Sequence, residues 1–502
     1  MKPIDFFTPD RLDLIVKYLQ AKNYLSSIYN KDVEDLYIRH IIMRTGGIEP
    51  EDCLTHKTDK TSVMDYLNSF KNLILDMKQN GFNPKYPIPV DKHKKMLNGA
   101  HRIAAALALN IKEIPTEEVQ GVSFCPWDFN WFQENGFSVE DKQRILKGYV
   151  DLHLENCSIF VIWQPALRYY GHIQKLIQDH LDIVGSFDLD FEDNYLAFEN
   201  AILDIYDVSK IDGGFSTIYN KIKMLENYYL SFKVIVVKNR ETKDDIFSLS
   251  KKTKHAIRKI FDSMISSDHF ITLHSSDTVN ELKLLNEILL SPNNMKYLRK
   301  RNHNLYDLSF LTYIQNFKKM CQNQNLNSDD TIIVGSGPLA ALGIKSVSDL
   351  DFVVLEKYRN KYGDEPKKMY ESIDLATKKY HRNGTSHYYT DDELIQNPDC
   401  HFIVNGIKFC NLDIVKERKK FSAREKDIRH VRYIELYEHL NETHQQNFLS
   451  FLKQKNVLVP KGVRKSEYKY RLHIGKFDLF SKRKKDNKRI YRILGVKVVL
   501  KK

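Results

Sequence analysis

Asp349 and Asp351 are separated by one leucine at the start of an apolar run, Asp349-Leu350-Asp351-Phe352-Val353-Val354. In an extended chain alternate side chains share a face, which puts the two carboxylates about 7 Å apart on one side of the backbone. Like charges that close resist joint ionisation on a buried face, and a bound divalent cation such as Mg²⁺ removes the objection. Twelve residues separate Asp349 from Ser336, in Gly335-Ser336-Gly337, and that turn closes a second apolar run, Thr331-Ile332-Ile333-Val334. Small residues between a strand and a helix offer backbone N–H groups that a triphosphate can approach closely. Taken singly, Asp-x-Asp suits a solvated surface strand and Gly-Ser an ordinary loop. At this spacing the two together point to phosphate chemistry on a metal.

The combination resembles the nucleotidyltransferase superfamily with the DNA polymerase β-like fold, over roughly residues 325–430. That family's pattern is a strand, Gly-Ser or Gly-Gly, a helix, a strand with Asp-x-Asp, and a third carboxylate on a later strand. Gly335, Ser336, Asp349 and Asp351 match it in type and spacing. The resemblance implies Mg²⁺ held by Asp349 and Asp351, a nucleoside triphosphate donor received at Gly335 and Ser336, and two-metal catalysis. It assigns the third position, as metal ligand and catalytic group, to Asp413 in Asn411-Leu412-Asp413-Ile414-Val415, an acid set between apolar residues as an inward-facing strand carboxylate is. Asp399 and Asp427 lie nearby and compete for the role. Lys416, Lys419, Lys420, Arg424 and Lys426 follow as a basic stretch, either facing a polyphosphate or forming a solvated helix face.

A second phosphate pattern stands near the N-terminus. Pro87-Ile88-Pro89-Val90-Asp91 leads into Leu97-Asn98-Gly99-Ala100-His101-Arg102-Ile103-Ala104, which reads as a strand, a glycine turn and a helix with His and Arg in its first turn. Backbone N–H groups helped by an arginine make an anion site. The segment resembles the ParB/sulfiredoxin-like fold, in which a Gly-x-His-Arg or Gly-x-Arg-Arg sequence binds nucleotide phosphates; relatives include chromosome-partitioning CTPases, sulfiredoxin and a free-serine kinase. The resemblance implies phosphate binding by Gly99, His101 and Arg102, with Asp91 or Glu49 as an acidic partner. Ala100 stands where sulfiredoxin has its reactive cysteine, which argues against sulfinate repair, and no helix-turn-helix pattern follows.

Between these motifs, Lys254 and Arg258 are four residues apart beside His255, and His274-Ser275-Ser276-Asp277 precedes Glu281. Asp277 reads as a helix N-cap, and the group suits either a phosphorylated substrate or caps and ion pairs.

The elements that must position these residues imply an α/β and α+β multidomain chain. The resemblances imply a ParB/sulfiredoxin-like domain over residues 1–150 and a nucleotidyltransferase-like domain over 326–455, and the pattern between them reads as an α/β domain over 156–325 with buried strands in Ser158-Ile159-Phe160-Val161-Ile162-Trp163 and Phe232–Val237. A basic tail spans 461–502. It carries 16 Lys/Arg against 3 Asp/Glu, so the first 460 residues hold 61 basic and 62 acidic side chains and the formal charge of +12 is almost wholly terminal. The tail repeats itself, from Tyr470-Arg471-Leu472 through Gly475 and from Tyr491-Arg492-Ile493 through Gly495. It resembles the basic, apolar C-termini of bacterial transferases that build surface polysaccharides at the inner membrane face. An anionic leaflet contributes about 1 kcal/mol per basic residue.

Six scattered cysteines, without metal spacing, read as reduced thiols, and the N-terminus lacks the apolar core of a signal peptide. The expectation is a cytoplasmic transferase, peripheral at the membrane, with a nucleotide donor and a phosphorylated or glycan-type acceptor. Two alternatives remain: a nucleotidyltransferase acting on RNA or protein, of toxin or defence type, and a ParB-like DNA-binding protein. The neutral body disfavours nucleic acid.

Overall fold

The computed structural model describes residues 1–26, 29–45, 62–121, 127–192, 194–206, 215–240, 245–265, 271–301, 308–363, 366–376 and 389–454, with strands at 468–474, 477–485, 488–493 and 496–501. Beyond residue 439 only the backbone course is described. Glu49, Cys53, Cys125, Gly475 and Gly495 lie outside the described residues. The other four cysteines are buried and free. The chain is mixed α/β with several sheets and clusters into two compact units: residues 1–157 with 182–187 and 236–238, and the remainder.

In the first unit α1 (Asp13–Leu25), α2 (Lys31–Thr45) and α3 (Val63–Asn80) precede the strand β1 (Ile88–Val90), α4 (Ala100–Ala108) and β2 (Thr116–Glu118), which pairs parallel with β1. α1 buries Leu14, Ile15 and Val16 completely, and α4 its Ile103-Ala104-Ala105-Ala106 run, so small side chains let α1 and α4 pack closely. α3 starts at a capping box, with Ser62 and Asp65 bonding each other's backbone N–H. The helices α5 (Phe129–Glu134) and α6 (Val139–Leu152) complete the unit.

A four-stranded sheet follows, of β3 (Cys157–Trp163), β4 (Leu181–Asp190), β5 (Ser231–Asn239) and β6 (Leu273–Ser275), in the order β4-β5-β3-β6. β3 is buried at every position, which is why it reads as a continuous apolar run. The cap expected at Asp277 falls one residue later: Thr278 accepts from the Glu281 N–H, and the helix runs Val279–Leu289.

A six-stranded sheet follows, built from β7 (Thr331–Val334), β8 (Leu350–Val354), β9 (Lys367–Tyr370), β10 (Ile373–Leu375), β11 (His401–Val404) and β12 (Ile407–Cys410), in the order β11-β12-β7-β8-β10-β9. β7 and β8 are antiparallel; β8 pairs parallel with β10 and β12 parallel with β7. Asn405 and Gly406, at φ 50° and 76°, close the β11–β12 hairpin with positive φ at both turn positions. The hairpin leans on the helix Pro292–Lys300: Asn294 accepts from the Ile403 N–H at 2.7 Å, and the Tyr297 and Phe402 rings stack at 4.5 Å. The sequence segment 156–325, apart from residues 156–157, 182–187 and 236–238, therefore belongs to the same unit as the six-stranded sheet.

The tail forms an antiparallel sheet of β13 (Tyr468–Ile474), β14 (Phe477–Lys485), β15 (Lys488–Ile493) and β16 (Val496–Lys501) in sequential order. One copy of the tail repeat runs along β13–β14 and the other along β15–β16. Among the described residues no helix is long and apolar enough to cross a membrane.

Candidate active site

The centre of the six-stranded sheet brings three carboxylates together. Asp351 is the second residue of β8, half-buried between fully buried Leu350 and Phe352, and Asp349 stands immediately before the strand. Asp374 of β10 is the Cα partner of Asp351 across the parallel β8–β10 pairing. Burial first, then the negative charges of Asp349 and Asp374, raise the Asp351 carboxyl above the usual carboxylate range; Lys426 and Lys419 act the other way. Asp374 was not foreseen. Its signal was modest: an acid between Ile373 and Leu375 in a three-residue strand.

The Gly-Ser-Gly turn lies against the same strand. Gly335 has φ 67°, and a Cβ there would stand 2.5 Å from Asp351 Oδ2, so glycine is required by conformation and by space. A Cβ at Gly337 would meet Ile333 Cγ2 at 2.3 Å. Ser336 sits between them, half-buried, with its side chain making no cap bond to the short helix Gly337–Ala341.

Asp413 does not join this group from a strand. β12 ends at Cys410, and the helix Leu412–Ser422 begins two residues on, with Asp413 in its first turn and its side chain 66 % exposed. The reason is the hairpin. Its Asn-Gly turn leaves four residues for β12, Asn411 donates to the Cys400 and Asp399 carbonyls, and Leu412 N–H donates to Tyr297 Oη at 3.0 Å. The chain is thereby released into a helix whose first turn favours an acid. Asp413 thus does not take the inward-facing strand position expected of it, and the acid that stands beside Asp351 is Asp374.

Of the basic stretch, Lys416 pairs with Glu438 at 2.7 Å and Lys420 with Glu417 at 3.1 Å. Lys419 and Arg424 bond buried Asp427, at 3.3 and 2.6 Å. Asp427 is thus a structural partner of these cations, and Asp399 is used through its backbone carbonyl. Lys419 and Lys426 are the cations whose charge reaches Asp351.

In the first unit Gly99 takes φ 98° and caps α4, and a Cβ there would strike Ile88 Cδ1 at 2.6 Å. His101 and Arg102 are engaged elsewhere. Tyr37 Oη and His101 Nε2 are hydrogen-bonded at 2.9 Å, with Phe70 edge-on at 4.7 Å, while Arg102 donates to the Tyr86 and Pro87 carbonyls. Asp91 Oδ1 accepts from the His93 and Lys95 N–H groups in its own turn. The Gly99 N–H donates to Asn98 Oδ1 at 2.7 Å, and the neighbouring side chains brace the turn.

The middle group pairs internally. Lys254 reaches Asp277 at 2.5 Å, His274 Nε2 reaches Glu281 at 3.1 Å, and Arg258 donates to the Leu273 carbonyl. Lys221, not singled out by its sequence, donates to Tyr206 Oη at 2.6 Å beneath the Trp163 ring, and burial lowers its pKa to about 7.

Among the described residues no three His, Cys, Asp or Glu side chains stand as a preformed metal cage. The Asp349, Asp351 and Asp374 set is nevertheless all oxygen, the donor type Mg²⁺ takes, and their mutual repulsion at Asp351 is what a cation relieves. No family model, no curated protein and no solved structure matches the chain.

Proposed function

We propose that the second unit is a Mg²⁺-dependent nucleotidyl- or phosphoryl-transferase. The observation that carries this reading is the level placement of Asp351 and Asp374 on adjacent parallel strands, with Asp349 beside them and Gly335 against the Asp351 carboxylate. Asp349, Asp351 and Asp374 would hold the metal, which when bound supplies charge neutralisation of a triphosphate and activation of an acceptor oxygen. Gly335 lets the backbone come close to the phosphates, and Ser336 presents a hydroxyl that has no cap bond to break. Lys426 and Lys419 give the same end of the sheet a positive field that draws in the anionic donor.

The acceptor fits a phosphorylated or glycan-type molecule of surface-polysaccharide assembly, met at the anionic face of the membrane through the basic tail. A nucleotide or phosphorylated metabolite at the Gly99 loop would make the enzyme bifunctional. The test is turnover of each α-³²P-labelled nucleoside triphosphate by the full chain with Mg²⁺. We expect turnover of at least one, and its loss in D349N and D351N. Unchanged turnover in D351N, or none with any nucleotide, overturns the assignment. Tighter binding of anionic liposomes than of duplex DNA is the matching expectation for the tail.

A further inference from the structure

We infer that the interior of the first unit between α1 and α2 is a binding site for an oxyanion, a phosphate or carboxylate group held by Arg11, Lys17, His40 and Arg44. The proposal does not rest on the transferase reading. Asp13, Lys17 and Gln20 recur at helical spacing along one face of α1, and all three are fully buried, as is His40 of α2. A helix face in the core of a unit is ordinarily apolar, so this polar stripe calls for partners.

Those partners are incomplete. Asp13 is saturated: its Oδ1 accepts from Arg11 Nε at 2.8 Å, and its Oδ2 from Arg11 Nη2 at 3.0 Å and Lys17 Nζ at 2.7 Å. Among the described residues neither nitrogen of the buried His40 ring has a hydrogen-bond partner, nor does Gln20 Nε2. The ring is held by aromatic contacts alone, stacked on Phe132 at 5.8 Å and edge-on to Trp131 at 5.7 Å.

The charge is equally one-sided. Among the described residues the largest charges acting on the His40 ring are those of Lys17, Asp13, Arg44 and Arg11, three cations and one carboxylate. The Arg11 and Arg44 guanidinium carbons both lie over the Trp127 ring, 4.9 and 5.6 Å from its centre. Burial, with the added charges of Arg44 and Arg11, lowers the pKa of Lys17 to about 8 despite its bond to Asp13. A water molecule would satisfy an imidazole nitrogen but would leave the excess positive charge. An oxyanion answers both needs, because its oxygens accept from Lys17, Arg44 and a His40 N–H together. Arg44, exposed at the last turn of α2, is the solvent-facing cation of the group.

The experiment is thermal unfolding of the full chain with sodium phosphate, sodium citrate or sodium chloride at matched ionic strength. An anion that binds only the folded chain raises the melting temperature by an amount that grows with the logarithm of its concentration above Kd. We expect phosphate or citrate, but not chloride, to raise it by roughly 2–5 °C in wild type. The larger response identifies the source as phosphate or carboxylate. R44A removes an exposed cation and should fold normally while losing at least half of the shift. K94A, which removes an exposed cation paired with Glu118, should keep it. H40L should lose the response without lowering the melting temperature in chloride, since it removes two unsatisfied nitrogens. No anion-specific shift in wild type, or a shift unchanged in R44A, overturns the proposal.

Discussion

Asp351 and Asp374 stand opposite each other as Cα partners on the parallel strands β8 and β10, and the charge of Asp374 helps hold the Asp351 carboxyl above its ordinary range. Neighbouring acids at one level of a parallel pair are destabilising for the strands alone. Their persistence there, beside a glycine that the same carboxylate requires, is the physical basis of the metal-site reading.

The first prediction separates two acids. D374N should lower Mg²⁺-dependent nucleotide turnover by at least about a hundredfold, as loss of a metal-holding carboxylate does. D413N changes a 66 % exposed side chain in the first turn of a helix and should stay within a few-fold of wild type. Steady-state rates of the two variants, measured side by side, check it; equal losses would return Asp413 to the site.

Gly335→Ala tests the turn. The substitution places a methyl group at φ 67° and 2.5 Å from Asp351 Oδ2. The backbone term costs about 1 kcal/mol, and the clash must displace the carboxylate or the turn. Urea unfolding should show a loss of about 1–3 kcal/mol, with turnover falling more steeply than stability. A variant as active as wild type would show that Asp351 is not constrained by the turn.

The strand Thr331–Val334, the Gly335-Ser336 turn and the Asp351 strand were legible because each is local: an apolar run, a small-residue break, an alternation of two. The buried runs of β3 and β5 were legible for the same reason. Asp374 was not, because its role comes from β10 pairing beside β8, and sequence separation hides pairing. Asp413 misled because Leu-Asp-Ile-Val has the pattern of a strand, while the length of β12 is set by the Asn405-Gly406 turn and by Tyr297 of a helix more than 100 residues earlier. His101 and Arg102 had the composition of a phosphate site, yet Tyr37 and the Tyr86 carbonyl claim their side chains. Composition names the groups available; packing decides which of them face a ligand.

Asp13 is the anchor of the buried charge cluster in the first unit. D13N leaves Arg11 and Lys17, with side chains 10 % and 0 % exposed, without their carboxylate. Breaking a buried pair by removing one partner costs about 3–5 kcal/mol. Denaturant unfolding of D13N should show a loss of that order, and adding K17M to D13N should recover part of it. Full stability in D13N would mean that the cations find water instead.

Stability should also depend on pH in two separate windows. Burial lowers the His153 pKa to about 4, and burial with the Arg258 charge lowers that of Lys221 to about 7. In both cases the unfolded chain binds the proton more readily, so unfolding free energy rises with pH between the folded and unfolded values. For His153 the window runs from about 4 to 6.5, and for Lys221 from about 7 to 10.5, each with a slope of up to about 1.4 kcal/mol per pH unit. The buried thiols of Cys157, Cys321, Cys400 and Cys410, whose pKa values are pushed up by burial, reverse the sign from about pH 9, as do buried phenols such as Tyr37 and Tyr149 above about 10, so the upper window is best read below about 8.5. Urea titrations at pH 4.5, 6.5, 7.5 and 8.5 should rise at both steps. H153Q should reduce only the first and K221M only the second, each leaving the part that His40 and His430, or Lys17, contribute in the same window. A K221M profile as steep as wild type above pH 7.5 would show that Lys221 stays charged in the folded protein, and the Tyr206–Lys221 bond would then be an ammonium donating to a phenol at every pH measured.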